Sequence, residues 1–323
     1  MNRRPAALAL VGLAAAVVAV VVARKGPRKP DPQQPPPPSV SRGIWVSKKP
    51  LPVPVSECGA VATSRGKIHA LGGSAGAMTK NQEYDIATDT WTQRKELPRP
   101  RRHPGVAELQ GKLYVAGGAE GSAAFDCYDP SSDAWEELPE VPAPASGGDL
   151  YAISGKLVRF AHETDTGPTK VQTYDPATRK WETLESRTRF PMIGACTALG
   201  QGGLVHFKRD FGVGWYPLPP RPEALINFSP VDVMPLDAAA ALLGDRVYCV
   251  GGLEPSSAGP SVPTTRTRST EAKPPFTMFE DHAPLATPRR SLALVASGGK
   301  LYALGGIADA FGHVTDALEE FTP

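Results

Sequence analysis

The sequence predicts an all-β protein built from six copies of one unit, and two signatures that run in phase carry that prediction. Glycine pairs recur at Gly72-Gly73, Gly117-Gly118, Gly251-Gly252 and Gly305-Gly306, each closing an apolar segment that begins at a turn, as in Gly111-Lys-Leu-Tyr-Val-Ala-Gly-Gly118. A tyrosine followed by aspartate precedes a tryptophan by seven residues at Tyr84 and Trp91, Tyr128 and Trp135, and Tyr174 and Trp181. A fixed period of this length means one supersecondary unit stacked many times, so the repeat sets the fold before any single residue points to chemistry.

Taken in order, the first two glycine pairs lie 45 residues apart, and the 134 residues from the second pair to the third are close to three periods. Two degenerate copies fill that interval, Lys156-Leu-Val-Arg-Phe-Ala-His162 and Gly203-Leu-Val-His-Phe-Lys-Arg209, with Ala161-His162 and Lys208-Arg209 standing where the glycines are expected. The last interval, 54 residues, is longer by a loop. Copy four keeps Tyr216 without a following tryptophan, and copy five has Phe279 in the tryptophan slot. Throughout, short runs of Val, Leu, Tyr and Ala alternate with Gly, Pro and Asp turns, and no helical apolar period appears, which is the pattern of short strands. The tryptophans and tyrosines are expected to fill the outer gaps between neighbouring sheets. The paired glycines are expected to let backbones crowd near the axis, where a β-carbon would clash.

These motifs resemble the Kelch repeat, whose unit is one four-stranded blade of a β-propeller. The resemblance covers residues 43–323, strong in copies one and two and weakest in four and five, and implies a six-bladed Kelch-type β-propeller. Near the amino end, Trp45 is followed six residues later by Leu51-Pro52, as Trp91 is by Leu97-Pro98, while the chain stops at Glu320-Phe-Thr-Pro323, where a blade's third strand ends. Gly43 to Lys49 is therefore expected to supply the outer strand of the last blade, closing the ring and removing its free edges.

Ahead of the propeller, Ala6 to Ala23 is an uninterrupted run of Ala, Val, Leu and one Gly between Arg3-Arg4 and Arg24-Lys25. Its length and composition read as a transmembrane signal-anchor over residues 1–25, with a cleaved signal peptide as the competing reading. Basic residues on both sides leave its orientation open. Residues 26–42 form a Pro-rich linker, including Pro35 to Pro38, expected to be extended and semi-rigid. The expected location is a membrane, single-pass, with the propeller outside the cytosol, or secretion if the segment is cleaved.

The chain carries a net charge of +2, but residues 1–42 hold seven Lys and Arg against one Asp, so the propeller itself is mildly acidic. That balance, without a basic stripe, argues against nucleic-acid binding. Cys58, Cys127, Cys196 and Cys249 fall in four different copies with no C-x-x-C spacing, so no zinc site is read from them. They read as buried thiols, with a bridge such as Cys196 to Cys249 left open. No nucleophile–base pattern, phosphate loop or metal motif is present, and no cofactor is expected.

In an up-and-down blade, tight turns such as Gln110-Gly-Lys112 and Asp129-Pro-Ser-Ser-Asp133 share one face. The other face receives the lead-in to strand one and the loops between strands two and three, notably the long Leu253–Thr270 segment, and binding is expected there. Aligning copies by their glycine pairs superposes Glu57, Arg102 and Arg290, which neighbouring blades bring together, with Arg101, His103 and Arg289 alongside at the channel rim. Kelch domains that bind acidic peptides resemble this arrangement, and guanidinium forks suit carboxylates. The bland reading is a self-paired cluster in which Glu57 neutralises an arginine. A secondary candidate comes from the degenerate strands, where Arg159 and His206 take slots held elsewhere by Ala70, Val115, Cys249 and Ala303, and His162 aligns with Arg209. Polar groups there need partners, and a metal site is not supported by the spacing.

The expected function is a membrane-tethered, non-catalytic propeller binding a protein or an anionic, carboxylate-bearing ligand. The alternative is an exported six-bladed Kelch sugar-acid mutarotase, in which Arg102 and Arg290 hold the carboxylate while Glu57 or His103 moves the proton.

Overall fold

The computed structural model describes residues 42–74, 76–118, 122–144, 149–162, 169–184, 196–208, 212–218, 226–228, 235–256, 259–276 and 279–323. Of 161–162, 169, 184, 196, 208, 212, 226–228, 255–256 and 259–260 only the backbone is described. The apolar run and the Pro-rich segment lie outside the described residues, and among those described no helix is long and apolar enough to cross a membrane.

Six antiparallel four-stranded sheets form the blades of a propeller. Blade 1 holds β2 (Gly59–Ala62), β3 (Lys67–Leu71), β4 (Asn81–Asp85) and β5 (Thr90–Gln93), and blade 2 holds β6 (Gly105–Leu109), β7 (Lys112–Ala116), β8 (Phe125–Asp129) and β9 (Ala134–Leu138). Blade 3 runs through β10 (Asp149–Ile153), β11 (Lys156–His162), β12 (Thr169–Asp175) and β13 (Lys180–Leu184). Blade 4 runs through β14 (Cys196–Leu199), β15 (Gly203–Lys208), β16 (Gly212–Pro217) and β17 (Ile226–Phe228). Blade 5 uses β18 (Ala239–Leu243), β19 (Arg246–Val250), β22 (Thr267–Glu271) and β23 (Glu280–Asp281). Blade 6 uses β24 (Ala293–Ser297), β25 (Lys300–Leu304), β26 (Leu318–Thr322) and, from the start of the chain, β1 (Ile44–Ser47).

The seam is the one expected. Trp45 stands opposite Phe321 in the β1–β26 ladder, their rings 5.0 Å apart. The indole of Trp45 donates to the Ala283 carbonyl at 2.9 Å, on the segment leaving blade 5. Trp91, Trp135 and Trp181 do the same to Lys49, Lys95 and Pro139, each on the segment leaving the preceding blade. The repeat tyrosines are anchored alongside: Tyr84 and Tyr128 donate at 2.6 Å to Asp89 and Asp133, which also accept the backbone N–H of Lys49 and Lys95. Aromatic bodies thus fill the inter-blade gap while their polar tips hook the chain passing below.

The glycine pairs do admit backbone where a β-carbon would clash, as expected, but the backbone they admit is not another strand at the axis. They clear a path for the lead-in of the next blade. A β-carbon on Gly72, Gly251 or Gly305 would lie 2.5, 2.4 or 2.0 Å from the carbonyl oxygen of Arg101, Arg289 or Val55, and all three glycines have positive φ. The second glycine completes the contact, with Gly73, Gly252 and Gly306 donating to those same carbonyls at 2.7, 2.7 and 2.8 Å. A second correction concerns Leu253–Thr270, expected as an irregular loop. Its first part folds into a hairpin of β20 (Leu253–Ser256) and β21 (Gly259–Pro263), and its end is β22.

Because Trp45 holds the seam through both packing and its indole N–H, Trp45→Ala is expected to cost about 3 kcal/mol. Chemical denaturation checks this: a loss below about 1 kcal/mol would mean that β1 does not close the ring.

Candidate functional site

The first strands of all six blades surround an axial cavity of about 390 Å³, lined largely by small and aliphatic side chains such as Ala60, Val106, Ala240 and Leu294, with Glu108, Tyr151 and Thr197 as polar exceptions. On the face where these strands begin, a belt of backbone hydrogen bonds forms the mouth. His103 N–H donates to Glu57 O at 2.8 Å, Glu57 N–H to Ser291 O at 3.0 Å, and Ser291 N–H to Asp237 O at 3.0 Å. The four residues share a left-handed backbone, with φ of 56°, 54°, 49° and 58° for His103, Glu57, Ser291 and Asp237. Asp and His tolerate that region better than most residues, and here Glu57, Ser291 and Asp237 each supply a carbonyl to the neighbouring blade.

The belt corrects the alignment of the candidate site. Glu57 is equivalent to His103, Ser291 and Asp237, and it is Ser56 that matches Arg102 and Arg290. The cause is the first hairpin of blade 1, one residue longer than that of blade 2: Gly59 pairs with Leu71, whereas Gly105 pairs with Ala116. Counting back from the glycine pair therefore lands one residue short.

Of the six primary candidates, the structure places four at the mouth and two inside. Arg102 Nη1 lies 3.4 Å from Glu57 Oε2, and Arg290 Nη1 lies 3.1 Å from Asp237 Oδ2. These pairs are equivalent, each joining an arginine of one lead-in to a carboxylate of the preceding blade's lead-in. Glu57 and Arg290 are thus not partners, because the sequence alignment hid Asp237. The side chains of Arg102 and Arg290 remain 44% and 29% exposed, and His103 is exposed. Each pair makes a single contact, which leaves most of the five guanidinium donors of each arginine uncommitted by its carboxylate.

Arg101 and Arg289, expected beside them at the rim, are buried. Arg101 donates to the carbonyls of Gly117 and Ala124 and pairs with Asp126. Arg289 donates to Gly305 and Ala317 and pairs with Glu319 at 2.9 Å. The two sets are equivalent, so these arginines staple the end of strand two to the start of strand three within their own blades. Burial pulls both guanidinium pKa values down, opposed by the charge of the partner carboxylate. In blade 1 a neutral contact ties the lead-in to strand three, Gln82 accepting from Val53 N–H at 2.9 Å and donating to its carbonyl at 3.1 Å.

The secondary candidates are divided. Arg159 is buried and donates to Ala143 O at 3.0 Å and Gln172 Oε1 at 2.8 Å, a third staple whose pKa burial lowers to about 10. His206 is also buried. Arg209 and the side chain of His162 lie outside the described residues, as does the side chain of Cys196. Cys58 and Cys127 are thiols raised by burial, Cys58 to about 12 and Cys127 to about 11. Among the described residues no group of three or more His, Cys, Asp or Glu is placed to hold a metal ion.

Sequence reasoning missed Asp237, Ser291 and Asp149. Asp149 opens β10 where Gly59, Gly105, Ala239 and Ala293 open other first strands. Its carboxylate accepts from the Thr197 hydroxyl, which lies 3.0 Å from Tyr151 Oη. Burial raises its pKa, opposed by the Thr197 hydroxyl and then by His103. An acid in a slot otherwise held by Gly, Ala or Cys is the signal that finds it.

Two predictions follow from the buried and exposed charges. Asp126→Asn leaves the Arg101 guanidinium without its counter-charge and is expected to cost about 3–5 kcal/mol, whereas Arg102→Ala is expected to change stability by less than about 1 kcal/mol; urea titration of both separates staple from rim. At the blade 1–2 interface, hydrogen bonding to His69 and then to Arg94 lowers the Glu83 pKa from 4.5 to about 2 against the opposing effect of burial. Its stabilisation is therefore complete above about pH 5 and is lost as pH falls through the folded value near 2. Glu83→Gln is expected to lower the melting midpoint at pH 7 and to flatten its decline between pH 5 and 2.

A Kelch motif matches residues 100–142, which span blade 2 from its lead-in to the segment after β9. Kelch-like protein 36 from Bos taurus is 26% identical over 241 residues, covering 69% of this chain; the match takes in only 38% of that protein's length. Among solved structures, the one titled "Structure of YjhT" superposes with a TM-score of 0.67 at 15% identity, covering 85% of this chain and 97% of that one. Its likeness is one of fold. The repeated sheets and the matched motif together make this chain an all-β, six-bladed propeller carrying a Kelch motif.

Proposed function

We propose that this chain is a tethered, non-catalytic propeller that binds a protein through carboxylate groups at its axial mouth. The observation that carries the reading is the pair of half-committed arginines. Arg102 and Arg290 are fixed on a hydrogen-bonded belt, the first exposed and the second half-buried, and each gives its acidic neighbour a single contact, so a ligand carboxylate finds free guanidinium donors without breaking a buried pair. The arginines serve separate pairs and neither lines the axial cavity, an open-rim arrangement that supports docking of a surface. Kelch-repeat proteins generally bind proteins, which agrees with this. The apolar run Ala6–Ala23 and the Pro-rich linker supply the tether. Since Ile44 pairs with Thr322, β1 starts on the tight-turn face, opposite the mouth. Screening acidic peptides against the folded propeller is expected to yield binders that Arg102→Ala with Arg290→Ala weakens at least tenfold. Binding that survives the double substitution contradicts the reading.

A second reading, mutarotation of a sugar acid, is favoured by Asp149, a carboxylate at the start of β10 that accepts from the Thr197 hydroxyl and whose pKa burial raises. Polarimetry with sugar acids tests it, and an uncatalysed rate would exclude it for those compounds.

A further inference from the structure

Blades 1 and 2 meet in a manner unlike the other interfaces. The second strand of blade 1 carries His69 where Tyr114, Val158, Val205, Tyr248 and Tyr302 stand in the other blades. Opposite it on β4 is Glu83. His69 is fully buried, with Nδ1 2.9 Å from Asn81 Oδ1 and Nε2 3.2 Å from Glu83 Oε2. Arg94 closes the other side of the carboxylate, Nη2 to Oε1 at 2.9 Å and Nε to Oε2 at 3.2 Å. A polar, charge-neutralised floor has thus replaced an apolar contact, a costly departure from the repeat.

The same interface has a second departure, the longer first hairpin of blade 1. Its turn is ordered: Thr63 N–H donates to Lys67 O at 2.7 Å, and Gly66 N–H to Thr63 O at 3.2 Å. This turn lies over a pocket of about 110 Å³ between the blades, room for roughly three or four waters. Arg65, Lys67 and Arg94 line it against one carboxylate, Glu83, already held by Arg94 and His69, and Thr63 and Ser64 add hydroxyls. Lys67 pairs with Asp85, outside the lining. Arg65 makes no hydrogen bond or ion pair among the described residues, and its side chain is exposed.

We propose that this pocket binds one small tetrahedral oxyanion of the phosphate class, with Arg65 closing on it as a fork and Lys67 and the Thr63 and Ser64 hydroxyls completing the shell. The small volume suits a small ligand, the net positive lining selects an anion, and a planar fork beside an ammonium suits phosphate oxygens. The site is on the tight-turn face and is independent of the mouth.

The test is calorimetric titration of inorganic phosphate into the folded chain at pH 7, with ionic strength held constant by chloride. Saturable one-to-one binding is expected, weakened at least tenfold by Arg65→Ala and less by Arg65→Lys. Arg65→Ala is expected to leave the melting midpoint without phosphate unchanged, because that side chain has no partner to lose. Arg102→Ala with Arg290→Ala is expected to leave phosphate binding intact, which separates this site from the mouth. Absence of saturable binding, equal binding by Arg65→Ala, or tighter binding of acetate than of phosphate would overturn the proposal.

Discussion

The close passage of each lead-in over the preceding blade's glycine pair is the contact on which the rest of the molecule hangs. A carbonyl sits where a β-carbon would be, and the second glycine's N–H caps it at 2.7–2.8 Å in blades 1, 5 and 6. That contact fixes where each first strand begins. It therefore places Arg102 and Arg290 between a clamped carbonyl on one side and a left-handed belt residue on the other, and sets the belt around the mouth. Because blades touch only their neighbours, the geometry is passed around the ring link by link, and β1 completes the last link.

Adjacent residues in these lead-ins have opposite fates. Arg101 and Arg289 turn inward as buried, hydrogen-bonded staples, while Arg102 and Arg290, one residue on, turn outward to the mouth. The inner arginines are charges that cannot be removed cheaply from one side only. The outer ones sit in partly exposed pairs and contribute little to stability.

Much of this was legible in the sequence because the repeat writes the same physics several times. Four tryptophans with one hydrogen-bond habit, and Trp45 among them, gave the seam directly. What was not legible depended on single departures from the repeat. One extra residue in the turn before Lys67 displaced Glu57 from its true equivalents and concealed Asp237. Asp149 was hidden because blade 3 has lost the glycine pair used to align it. The Pro- and Ser-rich stretch after Leu253 reads as loop, since its hairpin bears no alternating pattern. Burial of Arg101 and Arg289 depends on which way one peptide faces, a property of the lead-in's path that composition does not record.

Amide hydrogen exchange at Gly73, Gly252 and Gly306 tests the central contact most directly, because each N–H points at a carbonyl of the next blade and at nothing else. The closed ring predicts that all three exchange only through global unfolding, with protection equal to that of the β7 and β25 core amides. Exchange at the rate of an exposed loop at any of them would show that the lead-in is not clamped there, and the placement of the mouth arginines would fall with it.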